Sequence, residues 1–326
     1  MNRREFIALA CGAVIWPFET SGQEAGRIYR LGFLVQISRT APGLVAFFDE
    51  LRISGFIEGQ NLVVISDGGF DIGNEQLDSL TERAAAVVKA KPDAIVSGAD
   101  LATRALQQAT QTIPVIAMTE DMVAAGLVNS LARPGGNTTG ISLLSPELDE
   151  KRQGILMEAV PGARRMAALA DLRVTPPRHL EALQEATRAR GIELSIFGVS
   201  KSEEIVPAID STKTSGIEAL NVLATPLFLA NSRAIIERVN ALRLPAIYQW
   251  PEMAEQGGLA GYGPRFTQLH RQRARMVAKI LRGSKPADVP VEQPTKFELV
   301  INLKAAREIS YDIPAGLVLR ADRVIE

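Results

Sequence analysis

From residue 28 onward, short apolar runs alternate with stretches whose apolar residues recur every three to four positions. Leu31–Val35 predicts a strand. Leu44, Phe47, Phe48 and Leu51 then keep helical spacing until Gly55 stops them. Leu62–Ile65, Ala94–Val96 and Val115–Met118 predict further strands. Between them run a helical stripe through Leu77, Leu80, Ala84, Val87 and Val88, closed by Pro92, and a helix carrying Leu101, Ala105, Leu106 and Ala109 that Asp100 would cap. Strands that are apolar throughout, joined by helices, indicate a parallel sheet covered on both faces.

The rhythm then restarts. Ala167–Ala170, Leu194–Phe197, Ala219–Leu223, Ala246–Tyr248, Leu259–Tyr262 and Phe297–Leu303 predict strands. Helices are expected around Leu180 and Leu183, around Ile235, Ile236, Val239 and Leu242, and around Leu269, Met276, Val277, Ile280 and Leu281. The expected fold class is therefore α/β, with two doubly wound parallel-sheet lobes. Three stretches rich in Pro or Gly read as links between the halves: Arg133–Asn137 ahead of the apolar Ile141–Leu144, Trp250-Pro251, and Pro286–Pro294. Several links rather than one permit hinge closure on a ligand.

The ends and the composition narrow the class. Arg3 and Arg4 precede an apolar run from Ile7 to Phe18, and small residues follow near Thr20–Gly22, so residues 1–22 read as an export signal. The Arg-Arg-x-Phe pattern is twin-arginine-like, while Asn2 and Glu5 keep Sec export open. Ala8, Leu9 and Ala10 before Cys11 fit a lipobox poorly. No other segment is apolar for the roughly 20 residues a span needs, so the mature chain is not expected to cross a membrane. The 326 residues carry a net charge of −1, which argues against a nucleic-acid partner. One Cys and two His leave little for a metal site, and no metal is expected.

Sequences for phosphate, dinucleotide or acyl chemistry are missing. Gly32 stands alone after the first strand, no P-loop occurs, and no G-x-S-x-G elbow occurs. No cofactor and no catalytic residue is expected, and His179 and His270 read as solvated residues on helix surfaces. A binding protein is indicated over an enzyme. Ligands of open parallel sheets sit outside the carboxyl ends of the strands, which nominates Gln36 and Ser38 after the first strand and Ser97, Gly98 and Ala99 after the third. Thr119, Glu120 and Asp121 follow the fourth; Thr119 and Asp121 are taken as site residues, the carboxylate suiting a ligand ammonium. Asp171 and Thr225 hold the equivalent ends in the second half. Aromatic residues make up only 5% of the chain, yet Tyr248, Trp250 and Tyr262 lie close together, and their flat faces suit a planar ligand.

Val291–Lys304, reading Val-Glu-Gln-Pro-Thr-Lys-Phe-Glu-Leu-Val-Ile-Asn-Leu-Lys, resembles a signature of ABC-transporter substrate-binding proteins of the tryptophan-binding type. So do Arg3–Ile7, Ser130–Asn137 with Thr139-Gly140, Gly257–Leu259 with Tyr262–Pro264, and the ending Arg320–Glu326. Two turns depart from the family pattern: Gly98-Ala99-Asp100 stands in place of a Gly-Thr-Pro-like turn, and Ala224-Thr225-Pro226 stands where many members carry an Asp before the Pro.

The resemblance implies a type I periplasmic-binding fold with a three-stranded hinge. The expected division is residues 27–140 plus 251–287 for one lobe and 141–250 plus 288–326 for the other. It also implies a periplasmic receptor of an ABC importer. Such a receptor would close on a small-molecule solute, guessed to be an amino acid or small aromatic carboxylate, and hand it to permease and ATPase subunits on other chains. A sensory ligand-binding protein, or an exported doubly wound enzyme using Asp121 or Asp171, are the alternatives.

Overall fold

The computed structural model describes residues 26–65, 69–72 and 79–326. The expected leader and Leu77 lie outside them. Chain order begins β1 (Tyr29–Leu34), α1 (Pro42–Ile53), β2 (Leu62–Ile65), α2 (Leu80–Lys89), β3 (Ala94–Gly98), α3 (Asp100–Ala109), β4 (Val115–Thr119) and β5 (Thr138–Ser142). It continues with α4 (Ser145–Ala159), β6 (Arg165–Asp171), α5 (Pro177–Arg188), β7 (Glu193–Val199), α6 (Ser202–Thr214), β8 (Ala219–Val222), α7 (Pro226–Ala230), α8 (Ser232–Ala241) and β9 (Ala246–Tyr248). Last come α9 (Pro251–Glu255), β10 (Ala260–Gly263), α10 (Phe266–Leu281), β11 (Glu298–Asn302), α11 (Leu303–Glu308), α12 (Ala315–Val318) and β12 (Arg323–Ile325).

The first sheet has the order β2-β1-β3-β4-β5, all parallel. Side chains alternate across it. Leu31, Phe33, Ala94, Val96 and Ile116 pack with Leu44 and Phe47 of α1 and Leu269 and Val277 of α10. Leu34, Ile95 and Val115 face Ala84 and Val87 of α2 and Ala102 and Leu106 of α3 on the other side. Burial on both faces is why β3 and β4 are mostly apolar, whereas β5 buries Thr138, Thr139 and Ser142. The second sheet has the order β12-β11-β10-β9-β8-β6-β7 and is parallel except that β11 runs antiparallel to β10. Two doubly wound lobes are thus present, the second with a mixed edge. Among the described residues no helix is long and apolar enough to cross a membrane.

The chain passes between the lobes at three places, the first two displaced from the expected links and the third within Pro286–Pro294. The first is at Leu143-Leu144, after β5, where Leu144 takes a left-handed conformation (φ 58°) ahead of α4. Arg133–Asn137 is a turn inside the first lobe, tied down by Asn137 Nδ2 donating to the carbonyls of Thr110 (3.1 Å) and Ile113 (2.8 Å). The second crossing lies at Pro264-Arg265. Trp250 and Pro251 open α9, and β10 then pairs with β9 and β11, so residues 251–263 belong to the second lobe. The third follows Glu292. Its N–H donates to the Gly140 carbonyl and its own carbonyl accepts from Ser142 N–H, placing residues 288–292 against β5 in the first lobe.

Candidate functional site

The carboxyl ends of both sheets open onto one cleft. From the first lobe come Val35, Gln36 and Ile37 after β1, Gly98 and Ala99 after β3, and Met118 and Glu120 at the end of β4. From the second come Thr225, Pro226 and Leu229 after β8, and Gln249 and Trp250 after β9. Leu143 of the first crossing and Phe266, His270 and Arg273 of α10 complete walls around a cavity of about 60 Å³. A wider mouth of about 370 Å³, lined by Ser38 and Asp71 among others, shares Gln36, Ile37, Leu229, Trp250 and Phe266 with it.

Local sequence explains the shape. Ala99 adopts φ 63° between β3 and α3, so the chain turns sharply where the cleft needs backbone rather than side chain. Asp100 is then the first residue of α3 and makes no capping bond, contrary to expectation. Thr225 does cap, its Oγ1 accepting from Phe228 N–H at 3.3 Å. Trp250 packs on Phe266 with centroids 5.1 Å apart, and Phe266 meets His270 edge-on at 4.6 Å. α10 reaches the cleft because Gly43 of α1 lacks a Cβ, which would stand 2.6 Å from His270 Cδ2 and 2.9 Å from Phe266 Cε1.

Titratable groups in the walls are strongly perturbed. Burial pushes the Glu120 carboxyl up to about 8 against the opposing hydrogen bond donated by Ser145 Oγ; Asp100 and Asp149 raise it further and Arg152 lowers it. Asp100 is raised to about 6, again by burial first. His270 is fully buried and held well below its ordinary value, by burial and then by the neighbouring Arg273 charge. Burial lowers the Arg273 guanidinium to about 9. Its Nη1 donates to the Ser97 carbonyl (3.1 Å) and its Nη2 to His270 Nδ1 (3.0 Å).

Of the residues nominated from sequence, Gln36, Gly98, Ala99, Thr225 and Trp250 line the enclosed cleft and Ser38 its mouth. Ser97 lies behind the wall, its hydroxyl paired with Thr103 Oγ1 at 2.9 Å and its carbonyl holding Arg273. Thr119 is buried beneath. Asp121 caps the next turn, accepting from the N–H groups of Val123 and Ala124 at 3.0 Å, while its neighbour Glu120 takes the place in the cleft. Asp171 is buried at the end of β6, accepting from Arg173 N–H at 3.1 Å. Tyr248 is sealed in the core and Tyr262 stacks on Phe297 at 6.3 Å, so neither lines the cleft.

His270 and His179 are not solvated. The first lines the cleft, and the second pairs with Asp149 at 3.0 Å, an acid that also binds Arg152. Sequence reasoning missed Arg273 and misread His270. The available signal was an Arg set within the apolar row Leu269, Met276, Val277 and Ile280 of one helix.

Two lobes crossed three times, with a cleft between them at the strand ends, define a ligand-binding protein of the type I periplasmic class. Residues 53–325 match the family described as ABC transporter substrate binding protein, and the chain belongs to that family. It is 27% identical over 261 residues, 78% of this chain and 73% of the relative, to a tyrosine-binding protein of Clostridioides difficile (strain R20291). A conserved domain protein of Vibrio cholerae superposes with a TM-score of 0.81 at 26% identity, covering 91% of this chain and 99% of that one. A Streptococcus pneumoniae ABC domain in complex with L-Trp gives 0.75 at 23% identity, covering 92% and 100%.

Proposed function

We propose that the chain is the periplasmic solute receptor of an ABC importer, that it binds an aromatic amino acid without turning it over, and that lobe closure presents the solute to permease and ATPase subunits on other chains. Export would use residues 1–22. The observation that carries this reading is the cleft itself: walls from both lobes, an apolar lining with the Trp250 and Phe266 rings, and the Glu120 carboxyl among them. An aromatic side chain fills the apolar part, and Glu120, once ionised, suits an ammonium. The two relatives named above for tyrosine or bound to L-Trp support the same solute class.

With residues 1–22 removed, Trp250 is the one tryptophan of the chain. Titration of L-Trp, L-Tyr, L-Phe and L-Ala by calorimetry and thermal shift should give one site per chain for an aromatic member and a raised melting temperature. For L-Tyr or L-Phe, Trp250 emission should also change. Conversion of a bound solute, or binding of L-Ala in preference to all three aromatics, would defeat the proposal.

A further inference from the structure

Arg273 is only 1% exposed, yet no carboxylate of the described residues forms an ion pair with it. Its two terminal nitrogens are engaged by the neutral acceptors Ser97 O and His270 Nδ1, and its Nε–H has no partner. A buried cation without a counter-charge is costly, and proteins ordinarily pair it. Other lining groups are unspent in the same sense. Since His270 Nδ1 accepts from Arg273, the proton of the neutral ring is on Nε2, which faces Gly43 and has no acceptor. Trp250 Nε1–H, on a side chain only 6% exposed, has none either.

Three buried N–H groups on cleft-lining residues, one of them cationic, lack acceptors. Glu120 does not relieve them: its hydrogen-bond partner is Ser145, and among the described residues it forms no ion pair with Arg273. We propose that Arg273 is the carboxylate-receiving residue of the cleft, so that the imported solute is an organic acid with an apolar body. Arg273 supplies the charge, with its orientation fixed by Ser97 and His270. This rests on the solute-receptor reading above and adds the anchor that selects among solutes. Such an arrangement keeps an unpaired charge in the folded apo protein for the sake of the ligand.

The test compares acids with their amides, L-Trp with L-tryptophanamide and indole-3-acetate with indole-3-acetamide, on the mature chain and on Arg273→Met and Arg273→Lys. The native chain should prefer each acid by about 100-fold, the scale of a charge-assisted hydrogen-bonded pair. Arg273→Met should level acid and amide while its ligand-free melting temperature stays at or above the native value, because an unpaired charge has been replaced by an apolar chain of similar length. Arg273→Lys should keep the acid preferred, though less strongly.

An acid preference that survives Arg273→Met overturns the proposal. If Arg273→Met fails to fold, Arg273→Lys decides: equal weakening for acid and amide means a merely structural arginine. Non-aromatic acids bound through Arg273 would sink the aromatic reading and keep this one. Aromatic ligands bound equally as acid and amide would do the reverse, and failure to bind any member counts against both.

Discussion

Glu120 and His270 show how a cleft stores chemistry as displaced protons. Glu120 is held near 8, so between about 4.5 and 8 the unfolded chain has released a proton that the folded chain still carries. The native state binds more protons there, and the stability this acid contributes at low pH is lost as the pH rises through that window. His270 works in the opposite direction: kept neutral by burial, it contributes stability above about 6.5 that is lost on acidification. Glu120→Gln cannot titrate, and His270 is common to both chains, so their melting temperatures should converge near pH 4.5. At pH 8 the variant should be higher by roughly 2 °C or more. A difference that does not change with pH would mean that Glu120 titrates normally in the fold.

At the scale of elements, α10 decides the site, and it can do so only because α1 lets it approach. Adding a methyl group at Gly43 drives it into the ring of the fully buried His270 and against the Phe266 ring packed on it. Gly43→Ala should therefore cost about 1–3 kcal/mol, measured by urea unfolding, whereas an unchanged midpoint would show that the helices slide apart freely. The same helix shows where sequence is readable. Its apolar stripe is plain, and so are most of the strands, because burial on both faces leaves few polar positions to blur them, β5 with Thr138, Thr139 and Ser142 being the exception. α4 left no such trace: its buried face includes Asp149, Arg152 and Gln153 beside Leu148, Ile155 and Leu156, which erases the period. α6 runs on through Pro207, a residue that reads from sequence as a helix breaker. Polar residues turned inward escape any rule that equates polar with exposed, and Arg273, His270 and Asp149 escaped for that reason.

For the whole molecule, the two-lobed plan, the strand-end location of the cleft and the third crossing, within Pro286–Pro294, were legible, while the first two crossings were not. Pro and Gly marked Arg133–Asn137 and Trp250-Pro251, but turns inside a lobe use the same residues, and only strand pairing separates the cases. The true crossings, at residues 143–144, 264–265 and just after 292, are the places where backbone rotation would bring the lobes together. Small-angle scattering should show a smaller radius of gyration with solute bound than without. An unchanged radius at saturation would exclude closure in solution.

The return of residues 288–292 to β5, and of α10 to α1, has a consequence for how the protein is made. Helix α1 and its packing partner are separated by roughly two hundred residues of chain. At translation rates of about 5–20 residues per second, the first lobe waits roughly ten to forty seconds for the pieces that complete it. During that interval an emerging chain is an open sheet with its β5 edge uncovered. A protein that cannot finish its first lobe until most of its second has been synthesised leaves that edge unpaired for most of its synthesis.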